Sequence, residues 1–268
     1  MAAIYGTYTI PRSARPDYYP QGRASAMEWL YGRNAVFEAL RAGRRPIRRV
    51  LVASGAHGLD ELTRAAERGG ARVEVVDRRR LDQLVAGGHH QGVVAEAGPF
   101  AYVHLEDLLE HNDQQPPFLL ALDSLQDPQN FGSLLRTALA VGVGGVLLPE
   151  HRAVSVTPAV SNASAGAVEH LRVARVTNLV RSLGQIKQRG VWVYGLAVEA
   201  AQPYWDTDLS GPLALVVGAE GSGLGRLVRE TCDGLVHIPM LPGSTESLNA
   251  SVAGSLVLYE AFRQRTTR

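Results

Sequence analysis

Three short stretches gather side chains able to do chemistry: Asn130-Phe-Gly-Ser-Leu-Leu-Arg136, Val217-Gly-Ala-Glu-Gly-Ser-Gly223 and Ile238-Pro-Met-Leu-Pro-Gly-Ser-Thr-Glu-Ser-Leu-Asn249. Each follows an apolar run with the character of a buried strand, and an open α/β sheet builds its ligand site from groups at strand ends. In the first stretch, Asp127-Pro128 and Asn130 supply turn and cap chemistry before a helix whose apolar residues are Leu134, Leu135, Ala138 and Leu139, with Gly142 as its stop. Gly132 and Ser133 share the face of Arg136 and lack bulk there. The spacing therefore predicts an open guanidinium near a helix N-terminus, where an anion such as phosphate is favoured. A capped helix with a solvated arginine accounts for the same residues.

The second stretch invites confusion with a dinucleotide fingerprint. Gly223-x-Gly225-x-x-Val228 lacks the third glycine, and it falls about 100 residues into its domain, where such a fingerprint belongs at the first turn. Glycines after a strand still permit close approach of a ligand to the backbone, and Glu220 among them is a carboxylate at a strand end; a glycine-rich turn with a surface glutamate is the plainer account. In the third stretch Pro239 and Pro242 stiffen a turn around Met240 and Leu241, an apolar lip able to clasp a flat ring. Ser247 and Asn249 stand at a helix start, where caps alone would also explain them.

These groups need a scaffold, and 268 residues that are 46% hydrophobic can bury one large core or two smaller ones. Residues 1 to 26 carry no helical or strand period and read as a flexible basic tail. Residues 27 to 97 alternate helix and strand: helix 34–42, strand 48–53, helix 59–68, strand 71–77, helix 79–86, strand 91–97. Residues 98 to 116, opened by Gly98-Pro99 and closed by Pro116-Pro117, read as a linker. From 117 to 268 continuous apolar strands at 118–124, 145–149, 171–176, 191–197, 213–217 and 235–239 alternate with helices at 131–141, 178–189, 224–232 and 247–264. A small-residue segment covers 157–168. Such strands predict a mainly parallel sheet buried on both faces.

The formal charge is only +1, but residues 1 to 49 hold nine arginines against Asp17, Glu28 and Glu38. A single cysteine, Cys232, excludes an intrachain disulfide and a cysteine metal site, and the histidines show no metal spacing. No apolar run reaches membrane-spanning length and no signal-peptide core is present, so a cytoplasmic protein is expected.

Taken together and in this order, the three stretches resemble the motifs of the SpoU family of the SPOUT superfamily, S-adenosylmethionine-dependent RNA 2′-O-methyltransferases. The likeness covers residues 118 to 265 and is carried by Asn130-x-Gly132-x-x-x-Arg136, Gly218-x-Glu220-Gly221, and Ile238-Pro-Met followed by Ser247-Leu-Asn249. Ser161-Asn-Ala-Ser-Ala-Gly-Ala167 also looks like a family segment. His90-Gln-Gly-Val93 is similar to bacterial members that act on a guanosine of 23S ribosomal RNA.

The resemblance implies a C-terminal α/β domain whose mainly parallel sheet carries a trefoil knot, against the usual rule for chain threading, and a small N-terminal α/β domain that binds RNA. It implies a homodimer with the final helix at the interface and active sites drawing on both subunits. S-adenosylmethionine would be contacted by Gly218, Ile238 and Leu248, with Leu196 carried over by strand position alone. Asn130, Arg136, Glu220, Ser247 and Asn249 would surround the reacting hydroxyl. Arg136 stays protonated and suits a phosphate clamp, Glu220 suits a proton acceptor, and no metal is required. In the first domain Arg41, Arg44, Arg45, Arg48 and Arg49 are expected on RNA phosphates; a solvated helix end and strand start would look the same. Rival expectations are a transfer-RNA or antibiotic-resistance methyltransferase of the same family, and a non-catalytic RNA-binding assembly factor.

Overall fold

The computed structural model describes residues 27–109, 116–151, 153–243 and 247–267. The expected tail, part of the expected linker and part of the third stretch lie outside them.

The N-terminal elements are β1 (Glu28–Tyr31), α1 (Arg33–Ala42), β2 (Ile47–Ala53), α2 (Asp60–Arg68), β3 (Arg72–Val76), α3 (Arg78–Val85) and β4 (Val93–Ala97). They form a sheet of order β1-β4-β2-β3 in which β2 and β3 run parallel and β4 is antiparallel to both its neighbours. The sequence reading missed β1. Its alternation is invisible because both faces are apolar: Leu30 joins the core beneath α1 and α2, while Trp29 and Tyr31 pack on the α3 side with Leu51, Leu81 and Val94.

The second unit contains α4 (Leu105–Leu109), β5 (Phe118–Asp123), α5 (Pro128–Ala140), β6 (Gly145–Pro149), α6 (Pro158–Ala163), β7 (Val173–Val176) and α7 (Leu179–Gln188). It continues with β8 (Trp192–Leu196), β9 (Gln202–Pro203), β10 (Leu213–Gly218), α8 (Arg226–Thr231), β11 (Gly234–His237) and α9 (Ala250–Thr266). Seven strands in the order β7-β6-β5-β10-β8-β11-β9 make a wholly parallel sheet. The apolar run of β5 is continuous because alternate residues serve opposite faces. Phe118, Leu120 and Leu122 meet Leu134 of α5 and Leu258 of α9. Leu119 and Ala121 meet Leu183 of α7 and Val228 of α8.

Residues 99–109 do not behave as a free linker. Phe100 joins the core of the second unit, Leu105, Leu108 and Leu109 seat α4 on its other face, and the Tyr102 hydroxyl accepts a hydrogen bond from the Val156 amide at 2.8 Å.

The small-residue segment 157–168 becomes the seat between the two units. Asn162 of α6 donates through Nδ2 to the Tyr31 carbonyl at 3.1 Å. A side chain at Gly32 would put its Cβ 2.2 Å from that same nitrogen, which is why a glycine with φ 94° opens α1. On its opposite side α6 leans on α5, where a Cβ on Gly132 would lie 2.5 Å from that of Ala163. Gly132 is therefore buried against α6, and its missing side chain does not serve to clear space for Arg136.

The same seat withdraws Arg45 from the expected RNA surface and partly covers Arg44. Arg45, with its side chain 2% exposed, makes a two-armed ion pair to the 1%-exposed Glu169, including Nε to Oε2 at 3.0 Å. It also donates to Ser161 Oγ at 3.2 Å. Arg44 is half-buried and donates to the Leu171 carbonyl at 2.7 Å. Position in a basic run could not distinguish these from Arg41, Arg48 and Arg49, which stay at the surface. Arg41 and Arg48 are 59% and 74% exposed, and Arg49 lies over the Trp29 ring at 5.5 Å while bonding Glu96 at 2.7 Å.

Candidate active site

The three stretches converge at the carboxyl ends of neighbouring strands. Asp123 at the end of β5 pairs with Gly218 at the end of β10, β8 lies on the other side of β10, and Leu196 of β8 pairs with Val236 of β11. From β5 the chain turns into α5, capped by Asp127, whose Oδ2 accepts from the Asn130 amide at 2.8 Å, with Pro128 in the first turn. From the third stretch the chain enters α9, capped by Asn249, whose Oδ1 accepts from the Ser251 and Val252 amides at 3.0 and 3.3 Å.

Asn249 is a cap and something more, because its amide has two ends. Nδ2 donates to Asn130 Oδ1 at 2.9 Å and also to Glu220 Oε1. Asn130 Nδ2 donates to the same Glu220 oxygen at 2.9 Å. One residue from each stretch thus closes a three-membered polar ring, although 90 and 119 positions separate Asn130 from its partners. Among the described residues Glu220 Oε2 takes no hydrogen bond. The ring holds one carboxylate oxygen in place and leaves the other open as an acceptor.

Two supports escaped sequence reasoning. Ser251, 5% exposed, donates to Asn249 Oδ1 at 2.7 Å and fixes that side chain. Asp123, 8% exposed, accepts from the Gly225 amide at 2.7 Å and ties down the loop carrying Glu220. Asn249-x-Ser251 at a helix start was a visible signal for the first; nothing local pointed to Asp123, whose partner lies 102 residues away.

Loop 219–223 doubles back on itself, with Ala219 and Gly223 exchanging backbone hydrogen bonds at 3.1 and 2.9 Å and positive φ at Gly221 and Gly223. A Cβ at Gly218 would stand 2.3 Å from the Gly223 carbonyl carbon. The space that glycine leaves is taken by the chain's own loop rather than kept for a ligand. Gly218→Ala should cost roughly 1–3 kcal/mol of stability and displace Glu220; an unaltered chemical denaturation midpoint with wild-type methyl transfer would show that the loop can swing clear.

Arg136 stands apart from the ring. It is six residues beyond Asn130, about 9 Å along α5 and well round its axis, exposed, with no partner among the described residues. Its neighbour Thr137 accepts a hydrogen bond from Ser255 of α9 at 2.9 Å, and Arg136 points about 100° round the helix from that contact. Ser247 is exposed beyond the ring.

Leu196, Ile238 and Leu248 are half-buried, and the first two pack on the core at the ends of β8 and β11. Met240, also half-buried, and the 78%-exposed Leu241 extend this apolar strip outward. An apolar strip beside strand-end backbone is suited to a heterocycle, whose faces want carbon and whose edge wants amides and carbonyls. Among the described residues no group of three or more His, Cys, Asp and Glu could hold a metal ion, and no helix is long and apolar enough to cross a membrane.

A wholly parallel sheet carries the polar ring and the apolar strip at its carboxyl edge and is joined to a small α/β unit, and solved structures that share this architecture are RNA methyltransferases. Residues 117–259 match the SpoU rRNA Methylase family, and residues 29–103 match the unit described as RNA 2′-O ribose methyltransferase substrate binding. The chain belongs to the SpoU rRNA methylase family. It is 45% identical over 243 residues, 89% of its length and 96% of the relative's, to YacO of Bacillus subtilis (strain 168), which carries a TrmH family tRNA/rRNA methyltransferase name. A similarly named protein of Staphylococcus aureus (strain COL) is 42% identical over 88% of this chain and 96% of its own. Among solved structures, an RNA 2′-O ribose methyltransferase superposes with a TM-score of 0.75 at 30% identity, covering 90% of each chain. The fold is also that of the SpoU methyltransferase AviRb of Streptomyces viridochromogenes, solved in complex with AdoMet, at a TM-score of 0.75, 24% identity and 91% and 92% coverage.

Proposed function

We propose that this RNA methyltransferase uses S-adenosylmethionine to methylate a ribose 2′-hydroxyl, and that its target is a guanosine of 23S ribosomal RNA. The observation that carries the reading is the Asn130–Glu220–Asn249 ring beside an apolar cleft. The match of residues 29–103 to a 2′-O ribose substrate-binding unit supports the ribose, and the likeness of His90-Gln-Gly-Val93 to 23S guanosine enzymes supports the nucleotide. Leu196, Gly218, Ile238 and Leu248 would hold the cofactor, which supplies a sulfonium-bound methyl group open to in-line attack by oxygen.

Asn130 and Asn249 keep the Glu220 carboxylate oriented, and its free oxygen accepts the proton of the ribose hydroxyl. Arg136 grips the adjacent phosphate and favours the deprotonated hydroxyl by its charge. Ser247 lies beside the reacting sugar. A homodimer accounts for an Arg136 that stands clear of the ring: Val252, Leu256, Tyr259 and Phe262 form an exposed apolar stripe on α9, suited to a second copy of the chain. Across a two-fold interface the arginine of one subunit would serve the ring of the other. The trefoil knot and a cytoplasmic location go with the same reading, and the surface arginines Arg41, Arg48 and Arg49 meet RNA phosphates.

Glu220→Gln keeps an acceptor for both asparagine amides but loses the base. Methyl transfer should fall about 10²-fold while S-adenosylmethionine affinity by calorimetry holds, because what is lost is the proton acceptor. Wild-type turnover by this variant would exclude Glu220 as the acceptor. Mapping ribose methylation in ribosomal and transfer RNA, with and without the gene, tests the substrate. One lost 23S guanosine mark is expected, and a lost transfer-RNA mark would replace that target.

A further inference from the structure

A cavity of about 600 Å³ lies away from the polar ring, between the Pro99–Glu106 segment and the ends of β6 and β7. Arg44 reaches it from the N-terminal unit, so three parts of the chain meet around it. It opens at the same carboxyl edge of the sheet as the ring: β7 and β10 are three strand spacings apart, about 14 Å. Residues 153–156 link the two places. The Val156 amide bonds the Tyr102 hydroxyl in the cavity wall, and the Val154 amide bonds the Leu125 carbonyl at 2.9 Å, just before the cap of α5.

The lining is built to receive an anion and a flat ring. Arg175 lies 5.3 Å from the centroid of the Tyr102 ring and donates to the Glu150 carbonyl at 3.2 Å, which fixes its plane. Its side chain is nonetheless exposed. Arg181 is exposed at the first turn of α7 with its side chain unpaired among the described residues. Among the described residues Arg44 hydrogen-bonds only the Leu171 carbonyl, and burial together with the nearby Arg172 guanidinium lowers its pKa against the opposing pull of Glu169. None of these arginines has a carboxylate partner among the described residues. Glu106 and Glu150 stand against Arg44, Arg175 and Arg181, so the charged lining stays net positive.

We propose that this cavity binds an unpaired nucleotide of the substrate RNA a few positions from the methylated one, its base stacked on Arg175 and its phosphate held by Arg181 and Arg44. A guanidinium plane backed by an aromatic ring is a stacking platform for an unpaired base, and single-stranded segments are what proteins read in RNA. The proposal rests on the RNA-methylation reading above and adds a second point of grip beyond the reacting ribose.

The test uses the full chain, a radiolabelled transcript of 23S ribosomal RNA and the paired substitutions Arg175→Ala and Arg181→Ala. Both side chains are exposed and, among the described residues, free of ion pairs, so the fold should stand. Transcript affinity should fall about tenfold, and the slope of log affinity against log salt should flatten by about one to two, while S-adenosylmethionine affinity by calorimetry holds. Unchanged affinity and slope in this variant, beside a loss on Arg48→Glu with Arg49→Glu, would overturn the cavity site and leave the RNA reading intact. Wild-type chain that binds no transcript would remove both. Uridine monophosphate binding as tightly as the transcript would show a small-molecule site instead and overturn the proposal.

Discussion

Arg136→Ala should reduce methyl transfer at least about 10²-fold while leaving S-adenosylmethionine affinity as it was. The guanidinium is exposed on α5, clear of the polar ring and of Leu196 and Ile238 at the cleft, so its removal disturbs neither the fold nor the proposed cofactor residues. What is lost is a permanently charged, planar donor for a phosphate beside the reacting hydroxyl. Lysine should restore only part of the rate, because a point charge cannot make two parallel bonds to phosphate. Single-turnover transfer with labelled cofactor and calorimetry separate the two effects, and wild-type turnover by the alanine variant would remove Arg136 from the mechanism. Mixing Arg136→Ala subunits with Glu220→Gln subunits sharpens this: if the sites are shared across a dimer, the mixture regains activity that neither variant has alone.

The largest effect on stability is expected at Arg45. Arg45→Ala strands the Glu169 carboxylate, 1% exposed, with Ser161 as its remaining side-chain donor at 2.9 Å. Breaking one side of a buried pair costs about 3–5 kcal/mol, against well under about 1 kcal/mol for the exposed Arg41–Glu38 pair. Replacing Arg45→Met together with Glu169→Leu should return part of the loss, since the Glu169 charge goes with its partner while Glu28, 3.7 Å from Arg45, stays behind. Chemical denaturation of these three variants measures this, and equal midpoints for Arg45→Ala and Arg41→Ala would contradict the buried pair. The salt dependence of RNA binding should be the same for the double replacement as for wild type, because Arg45 faces no solvent.

Arg45 also shows what a single sequence conceals. In the run Arg44-Arg45-Pro46-Ile47-Arg48-Arg49 nothing local separates the arginine that seals an interface from those that face water; the decision is made by Glu169, 124 residues on. Gly132 misled for the same reason, since its neighbour is Ala163 of another helix rather than the arginine one turn along. The strands of the second unit were legible because burial on both faces leaves continuous apolar runs, and their ends located the three stretches. Their convergence was legible only through the order of the motifs. The ring itself, with one carboxylate oxygen held by two asparagines, was not readable from spacing, because Asn249 satisfies the rules for a helix cap with one end of its amide and does its other work with the opposite end.

The helix α6 carries a consequence for protein engineering. It touches Tyr31 and Gly32 of the first unit on one side and Gly132 of α5 on the other. A chimaera that took its first unit from a relative by cutting within residues 98–116 would mate a foreign surface to Asn162, whose amide keeps its partner only if the new unit sets a backbone carbonyl where Tyr31 holds one. The transferable module is therefore discontinuous: a graft meant to retarget the enzyme must carry residues 158–170 along with the first unit, and must match their packing to the helix that bears Asn130 and Arg136.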